Sequence, residues 1–113
     1  MESHGFAVTR HYLGLQTAWR AEFAHGKGGR TIGINAEMDA LPLIGHACGH
    51  NLIAASGVGV AIAIKSALLA HNVTGKVVLL GTPGKFNVVG AQGTNPNANL
   101  FRRRRWGRKD HAT

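Results

Sequence analysis

The sequence predicts an α/β domain, and two observations carry that prediction. Short β-prone blocks punctuated by glycine turns fill the first 35 residues. A long apolar segment rich in alanine follows, and a continuous apolar run closes the patterned region at Gly81. Strands alternating with a helix imply helix and sheet packed as layers. The expected order is β-β-β-α-β.

Each element has its own justification. Phe6 to Arg10 is short and β-prone. From Leu15 to Phe23 the residues alternate, with Leu15, Thr17, Trp19, Ala21 and Phe23 on one side. Gln16, Arg20 and Glu22 fall on the other, so this strand has one wet face. Gly14 before it, and Gly26, Gly28 and Gly29 after it, supply turns. Thr31 to Asn35 reads as a third strand. Residues 51–71 carry both periods. Val58, Val60, Ile62 and Ile64 alternate, while Leu52, Ala55, Gly59, Ile62, Ser66 and Leu69 recur at helical spacing. Length and alanine content decide for a largely buried helix capped by Asn51. Gly57 and Gly59 would each cost about 1 kcal/mol against Ala, which implies close packing there. Asn72 and Gly75 end the helix. Lys76 to Gly81 resembles a strand covered on both faces.

Composition narrows the function classes. The 113 residues suit one domain. The longest apolar stretch, Leu52 to Ile64, is interrupted by Ser56, Gly57 and Gly59, so no membrane-spanning helix is expected. No secretory leader is visible. The lone Cys48 excludes an internal disulfide and fits a reducing, cytoplasmic setting. The net charge of +8 is unevenly placed: residues 1–83 hold six Lys/Arg and four Asp/Glu, residues 84–113 seven and one. A boundary is expected at 83–84, followed by a disordered basic tail containing Arg102 to Arg105 and Trp106. Such a tail could bind nucleic acid electrostatically, although a basic run alone is non-specific.

The chemistry concentrates between Asn35 and Asn51. Glu37 and Asp39 precede His46, Cys48 and His50, all between a strand and a helix, where α/β sheets place their sites. Gly49 permits a sharp bend that could turn Cys48 and His50 toward one point. Thiolate and imidazole suit a borderline-soft divalent metal. A position just before a helix favours the thiolate. Asp39 could orient a histidine or join the metal site. Two other readings stand beside this one: Cys48 as an inert small hydrophobe, and Cys48 as a nucleophile with His46 or His50 as base.

The strings Asp39-Ala-Leu-Pro42 and Gly45-His-Ala-Cys-Gly-His-Asn51 resemble the signature of the M20 metallopeptidases, in their amidohydrolase/aminoacylase branch. His4 to Arg10, Gly33 to Asp39 and Gly75 to Pro83 resemble the same family in the same order, so the likeness covers about residues 1–83. It implies a segment of a zinc-exopeptidase-like catalytic domain. The implied reaction is hydrolysis of amide bonds in N-acyl amino acids or small peptides, using zinc or manganese. By position, Cys48 and His50 would be metal ligands and Asp39 a supporting residue, with His46 structural. Glu37 stands where other branches place a histidine ligand.

The pattern departs after Pro83. The family continues with Ala-Glu-Glu, one glutamate activating the metal-bound water and its neighbour binding metal. Here Gly84-Lys85-Phe86 follows, with no carboxylate until Asp110. The downstream ligands and the lid domain also have no counterpart, and Met1 to His4 resembles a helix end well inside the family sequence. The chain is therefore expected to be inactive by itself, since general-base help is worth about 10²–10⁴-fold in rate. The other expectation is an interaction protein that pairs with a full-length relative. Exposed apolar surface should accompany the missing layers.

Overall fold

The computed structural model describes residues 1–41 and 43–83. Four strands form one mixed sheet: β1 (Ala7–Arg10), β2 (Trp19–His25), β3 (Arg30–Glu37) and β4 (Gly75–Thr82). One helix, α1 (His50–Ala70), links β3 to β4. The chain order is the expected β-β-β-α-β, and the class is α/β. The expected basic tail, and with it the boundary at 83–84, lies outside the described residues.

The spatial order is β1-β2-β4-β3. β1 and β2 are antiparallel, β2 and β4 antiparallel, and β3 and β4 parallel. A parallel pair needs a crossover, and α1 supplies it. Register puts Trp19 opposite Gly81, Ala21 opposite Leu79 and Phe23 opposite Val77. These residues share one face with Ile34, which pairs with Leu79. Trp19, Ala21 and Phe23 thus face together and Arg20 and Glu22 face away, as the alternation predicts.

α1 covers that first face. Buried Phe6, Ala21, Ala36, Ala61, Val77 and Leu79 form the core, flanked by Trp19, Phe23, Ile34 and Val58. The helix rests on the sheet at Gly57: a Cβ there would lie 3.4 Å from Ile34 Cγ2 and 3.5 Å from Leu79 Cδ1, ordinary contact distances. Gly59, by contrast, borders open space, so the expected close packing holds at Gly57 only. Lys65 ties the N-terminal turn to the helix. Its ammonium bonds the His4 carbonyl and sits 5.0 Å from the centre of the Phe23 ring.

Four expectations about these elements need correction. α1 is not largely buried: His50, Gly57 and Ala61 are its buried residues, and Leu52 is 70% exposed. Its sheet-facing stripe runs through Ala54, Gly57, Val58 and Ala61, not through Leu52, Ala55 and Gly59. The N-cap is Gly49, not Asn51, which is already the second residue of the helix. Cover over the second face of β4 is partial: Leu80 and Thr82 there are buried, whereas Lys76 and Val78 remain half-buried.

The helix is also long and apolar enough to cross a membrane by length and composition alone, with a mean hydropathy of 2.0 over its best window. The interruptions at Ser56, Gly57 and Gly59 do not lower it below that threshold. Packing against β3 and β4 nevertheless gives it a role as the layer over the sheet.

Candidate metal-binding site

The site lies at the end of the sheet where β3 stops and α1 begins. β3 runs two residues beyond the expected Asn35, so Glu37 is its last residue. The loop 38–49 then turns back on itself. Leu41 and Gly45 exchange two backbone hydrogen bonds of 2.9 and 3.0 Å. Gly49 has φ 74°, a left-handed conformation that a residue with a Cβ adopts at a cost. That bend brings His50 under the end of the sheet.

His50 is 6% exposed and is gripped by two carboxylates. Its Nδ1 lies 2.8 Å from Asp39 Oδ1. Its Nε2 lies 3.3 Å from Glu37 Oε2. If Nδ1–H donates to Asp39, the neutral ring presents Nε2 as an acceptor. Two acceptors then face each other across the Nε2–Glu37 gap. A second ring proton or a cation satisfies that arrangement. An aspartate on one imidazole nitrogen with the other nitrogen free for a metal is the common way proteins orient a histidine ligand.

Glu37 is itself held. Its Oε1 accepts a hydrogen bond of 3.3 Å from Asn35 Nδ2. Asn35 Oδ1 in turn accepts one of 2.9 Å from the Thr82 hydroxyl. The Met38 amide donates to the Thr82 carbonyl at 3.2 Å, so backbone and side chain of Thr82 both tie the end of β3 to the end of β4.

The motif residues are not all drawn in. Asp39, Glu37 and His50 come together, whereas Cys48 stays exposed on the loop. His46 is exposed as well, and its carbonyl accepts from the Gly49 amide. Among the described residues, no three His, Cys, Asp or Glu side chains gather around one point as a metal cage. The donor chemistry at His50 and Glu37 suits a divalent cation, and the donor number falls short of the usual three or four. The reading of Cys48 as a nucleophile with His50 as its base gains nothing, because both nitrogens of His50 face carboxylates. Sequence reasoning did not single out Asn35 or Thr82; neither residue type carries a metal or acid–base signature.

A cavity of about 620 Å³ lies between the N-terminal turn and the start of β2, at the same end of the sheet as Glu37, since Trp19 and Ala36 both pair with Gly81. Arg10, His11 and Trp19 are among its lining residues. Arg10 is engaged there with Glu2 at 3.6 Å, an exposed pair.

No family model matches the chain. The Xaa-Arg dipeptidase of Mus musculus is 45% identical over 87 residues, covering 71% of this chain and 20% of the relative. The human Xaa-Arg dipeptidase is 42% identical over 91 residues, covering 71% and 21%. A p-aminobenzoyl-glutamate hydrolase polypeptide of Escherichia coli (strain K12) is 33% identical over 102 residues, covering 75% and 21%. The chain therefore spans about one fifth of the length of these relatives.

Proposed function

Because the chain belongs to the M20 amidohydrolase family, we propose that residues 1–83 are a segment of its metal-dependent catalytic domain, carrying part of the metal site. The family reaction in this reading is hydrolysis of an amide bond in a dipeptide or N-acyl amino acid, and the setting is the cytoplasm. The names of the relatives, a dipeptidase and a hydrolase of an aminobenzoyl-glutamate, support that substrate class. The observation that carries the proposal is the buried His50, oriented by Asp39 through Nδ1 with Nε2 turned toward Glu37.

His50 and Cys48 are the ligands in this reading, with Asp39 supporting and zinc or manganese as the ion. A bound divalent ion would supply Lewis-acid polarisation of the scissile carbonyl and a more acidic water. The chain's own part is narrower. Asp39 fixes the tautomer and direction of His50, and the left-handed Gly49 fixes the ring's approach. The thiol of Cys48, on the exposed loop, would have to swing inward to join.

Hydrolysis by this chain alone is not proposed. No glutamate follows Pro83 to serve as general base; Gly84, Lys85 and Phe86 stand there. The expected result is metal binding without turnover. In a zinc titration of the full chain, Cys48→Ala and His50→Ala should each abolish any stoichiometric binding. Binding unchanged in both variants would overturn the site assignment. Pairing with a full-length relative is a second reading, and the exposed apolar side of α1 favours it.

A further inference from the structure

Glu37 is aimed at His50 by a hydrogen-bond chain that starts on a different strand. Thr82 is 1% exposed and sits at the end of β4, in register with Glu37. Its hydroxyl donates to Asn35 Oδ1 at 2.9 Å. That bond decides which way the Asn35 amide points, because the oxygen must face the hydroxyl. The amide nitrogen is then left facing Glu37, and it donates to Oε1 at 3.3 Å. With Oε1 taken, Oε2 is the oxygen presented to His50 Nε2. The direction of each bond follows from the one before it.

We propose that Asn35 and Thr82 are positioning residues of the metal site: they hold the Glu37 carboxylate beside His50 Nε2, so that Glu37 faces any cation bound there. The proposal rests on the reading of His50 as a ligand. It gives Glu37 a task that His50 and Asp39 cannot perform, since Asp39 occupies the opposite ring nitrogen. Outer partners of this kind typically change metal affinity about 10–100-fold when removed.

Cobalt(II) is a suitable probe, because its visible absorption reports the number and geometry of its ligands. The full chain and its variants would be titrated with cobalt(II) alone, with circular dichroism confirming the fold. Thr82→Val removes the hydroxyl at nearly constant volume and should weaken cobalt binding about 10-fold. Thr82→Ser keeps the hydroxyl and should restore it. Asn35→Leu and Glu37→Gln should weaken binding to a similar degree and change the shape of the visible spectrum at saturation. Should Asn35→Leu fail to fold, the Thr82→Val and Thr82→Ser pair decides alone. Affinity and spectrum equal to the parent in Thr82→Val and Glu37→Gln would overturn the proposal. His50→Ala separates the two levels. Lost binding in that variant with normal binding in Thr82→Val leaves the ligand reading standing and removes this one, whereas normal binding in His50→Ala removes both.

Discussion

The carboxylate of Glu22 lies between two cations on the sheet's open face, with Arg20 on its own strand and Lys76 at 2.9 Å on β4. The Arg20 hydrogen bond, joined by Lys76, holds its carboxyl down at about 2 against an ordinary 4.5, despite an opposing contribution from burial. A depressed carboxylate stabilises the fold above its unfolded value and stops doing so as the pH falls toward its folded one. The contribution is therefore whole above about pH 4.5 and fades between there and 2. Glu22→Gln should cost about 1 kcal/mol at neutral pH, a modest figure for a partly exposed network. The gap in melting temperature between parent and variant should close on acidification across that window. A gap that is independent of pH would disprove the charge account. At this same scale the candidate site was half legible in the sequence. The spacing drew attention to Asp39, Cys48 and His50 but left three readings open, and the family resemblance assigned their roles. The pairing of His50 with Glu37 depends on where β3 ends, and the role of Asn35 depends on Thr82, 47 positions later. No local spacing encodes either.

Among the elements, α1 shows best what a sequence pattern can and cannot tell. Its existence was readable from length and alanine content, and its extent was right to within a residue or two. Its inward face was not. A helix that is apolar all round has no polar side to mark the outside. The choice then falls to the smallest residues, Gly57 and Ala61, where the sheet approaches closest. Gly57→Ala should be tolerated, because a methyl group would meet Ile34 and Leu79 at ordinary contact distance. Gly57→Leu should destabilise by about 1–3 kcal/mol as the helix is forced off the sheet. Denaturant unfolding of the two variants checks the pair; equal stability would mean that α1 does not rest on β3 and β4 at this point. The strands were easier. β2 alternates cleanly because one side meets the helix and the other meets water, which is the condition under which period two is visible.

Among the described residues, the fold is one sheet with one covering helix, and the side of α1 turned from the sheet has no layer over it. Ile53 and Val60 lie one heptad apart on that helix and are 43% and 47% exposed. Contiguous apolar surface of this kind promotes association. The full chain should bind a hydrophobic dye and self-associate as its concentration rises, seen by sedimentation velocity. Ile53→Glu combined with Val60→Lys should reduce both; undiminished association would move the sticky surface elsewhere. The strand order has a further consequence, for synthesis. β4 comes last in the described chain yet lies in the middle of the sheet, between β2 and β3. Those two strands do not pair with each other, so β3 has no partner strand, and β2 has only β1, until residues 75–82 arrive. On the ribosome, β1 and β2 can form only a hairpin, and α1 emerges with nothing to rest on. Everything N-terminal to Gly75 must wait exposed, and the fold closes in a single late step when β4 slots into the gap.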